Sequence, residues 1–346
     1  LFIAYFGSKK GAKSVIVFLA VILILGGLLV WMNPLYNYYL RSLDRTERDV
    51  FFAGEMLGGR TREEIEEIFA LKFAEWQIDP VDASYNPLEN TIIPELWGYK
   101  INELETINKI MSAASGEIIE PVYEPILPQI TLADYPSAVI RTGNAGRKEI
   151  ALMINVAWGS EFIHPMLGIL EAEGAIGTFF VVGNWAGKNR ELLEDIHSKG
   201  HLLANHGHTD SLVYTELNAA EIQSGLEEVN SLIFDVTGQS PHFFSPHKGE
   251  YNPLVLETVS RCGMRTVLWT LDTVDWMEPG VQKMHERVTE KIHGGAIVLM
   301  HPTNDTVSFL QEALPAIKKK GFAIVSLQEL LSPHNPPPAY DLDFPK

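Results

Sequence analysis

The sequence predicts an α/β protein: a distorted (β/α) barrel of about seven parallel strands, preceded by a small α/β domain and one N-terminal transmembrane helix. Three observations carry this. From residue 150 onward, short apolar runs alternate with amphipathic segments seven times in about 180 residues. Such alternation implies a parallel sheet, and closure into a barrel is its natural arrangement. Polar residues gather where the apolar runs end, which is where sites in such barrels lie. Near the start stands an apolar run of eighteen residues without a charge.

The bulk numbers bound the function. A chain of 346 residues exceeds one typical domain and accommodates a barrel plus a smaller unit. Its single cysteine, Cys262, excludes an intrachain disulfide framework and a Cys-rich metal site. The formal charge of −17 argues against nucleic acid as a partner, because phosphate binding needs a basic footprint.

Residues 1–14 read as a cytoplasmic N-terminus and residues 15–32, "VIVFLAVILILGGLLVWM", as a membrane anchor. At 1.5 Å per residue the run spans roughly 27 Å, close to a bilayer's hydrocarbon core. Lys9, Lys10 and Lys13 precede it; Trp31, Tyr36, Tyr38 and Tyr39 mark its far end. That polarity puts the rest of the chain outside the cytoplasm, single-pass in the cell membrane. A cleaved signal peptide is the competing reading, but no small-x-small cleavage site follows.

Residues 41–128 form the predicted small α/β domain. Thr61 and Glu64 make a capping-box pattern ahead of "REEIEEIFALKFAEW", with Ile65, Ile68, Phe69 and Phe73 on one stripe. Asn102 caps a second helix, "ELETINKIMSAA". The extended "EIIEPVYEPIL" is too rich in proline for a central strand. Residues 129–148 are polar, with Pro136, Gly143 and Gly146, and read as a linker.

The barrel domain covers 149–335, followed by a Pro-rich tail at 336–346. Its strands are predicted at 150–156, 177–182, 201–205, 242–245, 266–270, 296–300 and 322–326, each a short apolar run. Helices are predicted between them at 164–173, 189–199, 219–236, 253–262, 281–293 and 308–319. Strand one ends at "NVAWG", strand three at "NHGHTD", strand four at "FFSPHKG", strand five at "LWTLDTVDW" and strand six at "IVLMHPT". His206, His208, Asp210 and His247 offer an imidazole and carboxylate set of the kind divalent metals accept.

The segments "TFFVVGNWAGKN", "HLLANHGH", "VLWTLDTVDW" and "GAIVLMHPT" resemble, in order and spacing, the motifs of the polysaccharide deacetylases. These are the family-four carbohydrate esterases that share the NodB homology domain, and the resemblance covers roughly residues 148–333. The "NVAWG" variant resembles a divergent, sporulation-associated branch in Firmicutes. The family hydrolyses an N-acetyl amide on a sugar: a divalent metal, usually zinc, polarises the carbonyl, an Asp takes a proton from water and a His gives one to the amine.

By resemblance, the base position falls on Asn155, whose amide cannot accept a proton at neutral pH. The metal-binding Asp falls on Val156, the first metal His on His206 and the second on Asp210. The Arg that positions the base falls on Ser245, while its partner Asp275 remains. His301 stands at the acid position, and Trp276 and Leu299 match the wall that receives the acetyl methyl.

Three readings stay open at this level. The domain binds N-acetylated cell-wall glycan, peptidoglycan more than chitin, without turnover; or a rewired site with zinc on His206, Asp210 and His208 still hydrolyses it; or the polar strand ends are solvated loops. Asp272 reads as a turn residue rather than a catalyst.

Overall fold

A computed structural model describes residues 9–334, the side chains of 9–17, 25, 28–31, 33 and 71 excepted. The predicted tail at 336–346 and residues 1–8 lie outside the described residues. The predicted anchor falls within the helix Lys9–Ser42, which carries Pro34. Many of its side chains lie outside the description. Among the described residues no helix is long and apolar enough to cross a membrane.

Among the described residues the chain divides into two compact units, one holding residues 9–79 with Tyr99–Ile126, the other Pro80–Gly98 with residues 127–334. In the first, helix Arg62–Glu75 starts at a formed capping box, with Thr61 N–H donating to Glu64 at 2.9 Å and Glu64 N–H to Thr61 Oγ1 at 3.3 Å. Asn102 caps Glu103–Ser112 by accepting the Glu105 N–H at 3.0 Å. These helices close over Phe52, Ile65, Phe69, Ile107 and Ile110. The Pro-containing Tyr123–Ile126 pairs in a two-stranded sheet with Gly98–Ile101, away from any central position.

The second unit is built on eight parallel strands: β1 Glu149–Val156, β2 Gly177–Val181, β3 Leu202–Asn205, β4 Phe243–Phe244, β5 Arg265–Thr266, β6 Leu271–Asp272, β7 Ile297–Met300 and β8 Ala323–Val325. The order is β5-β4-β3-β2-β1-β7-β6, with β8 paired to the start of β1. The two ends of this curled sheet, β5 and β6, follow each other in sequence, so the curl is distorted rather than evenly closed. The predicted single strand at 266–270 is thus two short ones on opposite ends of the sheet. The backbone breaks between them, where the Thr270 N–H turns to the Ile297 carbonyl.

Alternation along β1 organises the core. Ile150, Leu152, Ile154 and Val156 join the layer under the helices, whereas Ala151 and Met153 join the interior with Phe180, Ala204 and Leu299. Helix Ser160–Ala172 begins earlier than predicted, directly at Gly159, whose φ is +76°. A Cβ there would sit 2.1 Å from the Pro302 carbonyl oxygen, so only glycine lets this turn pass. The predicted 281–293 helix is shorter, Val281–Arg287, because Val288 and Thr289 turn into the core.

The stretch expected as a linker, 129–148, packs instead. Val139–Ile140 pairs with Thr91–Ile93, Ile140 bridges Val267 beside β5, and Ala138, Val139 and Ile140 are buried. With Ala83 and Ile92 it caps the barrel interior, which is why 80–98 belongs to this unit rather than to the small domain. Glycine and proline in this segment mark turns within a packed strand region, not a solvated connection.

Candidate active site

The C-terminal ends of the strands surround a cleft of about 560 Å³ lined by Asn155, Ala157, Trp158, His206, Asp210, Lys248, Trp269, Asp272, Trp276, Leu299 and His301. Asn155 is the next inward residue of β1 after Met153, which brings its amide to the cleft floor. It is 5% exposed, and its Oδ1 has no hydrogen-bond partner. Val156, one residue on, points the other way and is wholly committed to the outer core.

His206 follows β3, its N–H donating to the Val181 carbonyl. Its Nδ1 lies 2.7 Å from the Ser245 carbonyl oxygen, which fixes the proton on Nδ1 and leaves the Nε2 lone pair for the cleft. Burial, then the neighbouring His247, holds its pKa well below the ordinary value. His247, 6% exposed, is also lowered by burial, with Asp210 opposing. The two rings meet edge-on at 4.3 Å. His247 Nδ1 is 3.0 Å from Asp210 Oδ1, but neither ring nitrogen has an aligned hydrogen bond. Both imidazoles are therefore held in the neutral form that metals require.

Among the described residues the one cluster of three converging ligand residues is His206, Asp210 and His247, which each offer one ligand atom within 4.8 Å of the others. Two imidazole nitrogens and a carboxylate are a donor set that zinc accepts, so these residues fit a divalent metal. His208, named with them from sequence, is not brought to the cluster. Gly207, at φ +83°, swings the chain so that His208 Nδ1 faces Glu228 at 3.0 Å. A Cβ at Gly207 would run into the Tyr214 ring, so this turn requires glycine.

Ser245 is fully buried behind His206, and its Oγ lacks a partner. Asp275, also fully buried, is not left without a cationic or donor neighbour by that serine. It accepts from the His301 N–H at 2.5 Å and the Thr306 hydroxyl at 2.6 Å, and its Oδ1 lies 2.8 Å from His301 Nδ1. This places His301 Nε2 as the atom available to the cleft. The preceding Val274 sits at φ +54°, an uncommon conformation for a β-branched residue, and delivers Asp275 inward. Asp272 bonds the Val274 N–H at 2.8 Å, as a turn residue does, and also lines the cleft; burial raises its pKa.

Trp276 and Leu299 line the cleft. Three further residues were not singled out as site residues from sequence. The Trp158 ring lies parallel to His301, at 7° with centroids 6.0 Å apart, and Trp269 and Lys248 complete the wall. Each lies within a few residues of a strand end, which was the available signal.

Fold and site define an α/β barrel protein with a His–Asp pair on one side of the cleft and three residues that fit a divalent metal on the other. A sequence profile described as polysaccharide deacetylase matches residues 142–267. The uncharacterized protein YlxY of Bacillus subtilis strain 168 is 32% identical over 260 residues, 75% of this chain and 81% of that one. The peptidoglycan-N-acetylmuramic acid deacetylase PdaA of the same organism is 29% identical over 196 residues, 55% of this chain and 73% of PdaA. Among solved structures, BA3943 of Bacillus anthracis, described as a family-four carbohydrate esterase pseudoenzyme, aligns with a TM-score of 0.68 at 28% identity, covering 79% of this chain and 96% of that one. A mutant of it described as having restored enzymatic activity aligns equally, at 27% identity and 79% and 99% coverage. The chain belongs to the polysaccharide deacetylase family.

Proposed function

We propose that this chain binds N-acetylated cell-wall glycan, peptidoglycan more than chitin, in the barrel cleft without hydrolysing it. The observation that carries this reading is Asn155: an amide with an unpartnered oxygen stands at the floor position where the family resemblance places the base. An amide donates and accepts hydrogen bonds but takes no proton at neutral pH. Loss of a general base alone costs on the order of 10²–10⁴ in rate. Such a group suits holding an acetamido substituent rather than cleaving it.

The rest of the cleft supports a sugar ligand. Trp158 and Trp276 expose broad aromatic faces beside the floor, and Trp269 adds a third. Aromatic faces offer large apolar area at low conformational cost to the CH-rich faces of sugar rings. Leu299 supplies an apolar surface for an acetyl methyl. A divalent metal, zinc by the family's habit, would be held by His206, Asp210 and His247, and when bound would polarise an acetyl carbonyl. The peptidoglycan deacetylase among the relatives supports this substrate class, and the pseudoenzyme among the structural neighbours supports the absence of turnover.

A second reading, a rewired hydrolase, is favoured by one observation: His301 and Asp275 keep the geometry of an oriented acid. The test titrates the purified full chain with peptidoglycan fragments and chitooligosaccharides while assaying acetate. Saturable binding without acetate is expected. Acetate released by the wild type and lost in His301→Ala would establish the hydrolase instead.

The same proposal includes a location: a single-pass protein of the cell membrane with its folded units outside, in a spore-forming Firmicute. The eighteen uncharged residues at 15–32 and the exposure of Phe18, Leu19, Val21, Ile22, Leu23 and Ile24 on their helix support it. Resistance to alkaline extraction from membranes, together with protease access in intact cells, is the expected behaviour.

A further inference from the structure

We infer that His247 is a metal ligand, completing with His206 and Asp210 a site built across the ends of β3 and β4. Three features of the geometry point to it. His247 is 6% exposed, yet neither of its ring nitrogens makes an aligned hydrogen bond, a costly arrangement for a buried polar ring. The Ser245 carbonyl, two residues before it, holds His206 Nδ1 and so aims Nε2 of that ring away from the strand. This is the outer-shell contact that orients a ligating imidazole. Finally, Asp210 approaches from the loop after β3 to 3.0 Å from His247 Nδ1.

The dimensions suit the ion. Tetrahedral zinc with bonds of about 2.0–2.1 Å sets its ligand atoms roughly 3.3–3.4 Å apart. One ligand atom from each of the three residues already lies within 4.8 Å of the other two. Asp210, whose side chain is 61% exposed, is the ligand with room to adjust, whereas both imidazoles are buried. An ion pair of Asp210 with His247 is the simpler alternative. It satisfies one nitrogen at most and leaves the other buried and unpaired.

Of the four residues that the strand ends offer as ligands, His247 rather than His208 thus joins His206 and Asp210. Val156 contributes only to the core, and His208 faces Glu228 instead. This ligand set concerns the same cleft as the proposed glycan site but does not require glycan to bind, so zinc uptake and glycan binding are read separately.

The test loads the purified full chain with zinc alone and measures bound metal after desalting. One equivalent per chain is expected in the wild type and in His208→Ala. His206→Ala and His247→Ala should each lower the zinc affinity at least tenfold. Because removal of a buried ring can disturb folding, His247→Cys loaded with cobalt(II) provides a second readout. A thiolate-to-cobalt charge-transfer band in the near ultraviolet, absent from the wild type, is expected if position 247 ligates the ion. Absence of that band, undiminished affinity in His247→Ala, or no zinc bound by the wild type would each overturn the inference.

Discussion

Asp275 grips His301 twice, once through the backbone N–H and once through the ring Nδ1. The carboxylate is fully buried and also takes the Thr306 hydroxyl. The family resemblance pairs this aspartate with an arginine, and with Ser245 in the arginine's place the anion would be stranded. The fold resolves this by satisfying Asp275 entirely from β7 and the helix that follows it.

Removing that carboxylate should therefore be expensive whatever the cleft does. Asp275→Ala leaves three donors unpaired in the interior and should cost about 3–5 kcal/mol, as for a broken buried pair. Asp275→Asn keeps one accepting oxygen and should cost less. Denaturant unfolding of the two variants checks both size and order.

Asn155→Asp restores a proton acceptor at the cleft floor without changing side-chain volume. It should raise acetate release from N-acetylated glycan by roughly 10²–10⁴ over the wild type, the usual contribution of a general base. The gain should vanish in Asn155→Asp combined with His301→Ala. An inert single variant would show that more than the base is missing.

Glycan binding should depend on the tryptophans. Trp158→Ala and Trp276→Ala should each weaken binding by roughly tenfold, about 1.4 kcal/mol, within the range of a lost aromatic face. Calorimetric titration with peptidoglycan fragments measures this. Trp276, 60% exposed, should leave thermal stability unchanged when truncated.

Acid should destabilise the barrel unit through its buried imidazoles. Burial, aided by Lys199, lowers the His201 pKa from 6.5 to about 4, and its Nδ1 accepts the Gly177 N–H at 3.1 Å. A histidine whose folded pKa lies below its unfolded one binds more protons when unfolded. Its contribution is thus complete above pH 6.5 and is lost as pH falls towards 4. The loss should be on the order of 2–3 kcal/mol. His201→Gln, whose amide oxygen accepts without titrating, should flatten the slope in urea unfolding between those pH values. His206 and His247 shift in the same direction, so some slope should persist.

The strands were legible because a parallel strand buried on both faces reads as an apolar run, and β1, β2, β3 and β7 lie within a residue or so of the runs that predicted them. What escaped was set by backbone turns rather than by composition. The run at 266–270 contains a break in pairing that no residue type announces. The packed segment around Val139 and Ile140 is only two residues of strand inside a polar, glycine-containing stretch. In the site, Asn155, His206, Asp210, Trp276, Leu299 and His301 meet in one cleft, while Ser245 and Asp275 support it from behind. His208 fails to join because Gly207 takes φ +83° between it and His206. Lys248 reaches the cleft through its own φ of +56°. Such turns redirect a side chain without altering the pattern around it.

On the reading proposed above, the cleft holds an acetylated sugar and leaves it intact because Asn155 stands where a base is needed. The most direct measurement follows binding and acetate in one sample of zinc-supplemented full chain with N-acetylated peptidoglycan fragments. Saturable binding with no acetate above the protein-free control is predicted. Catalytic acetate release by the unmodified chain, or the absence of any binding, would contradict it.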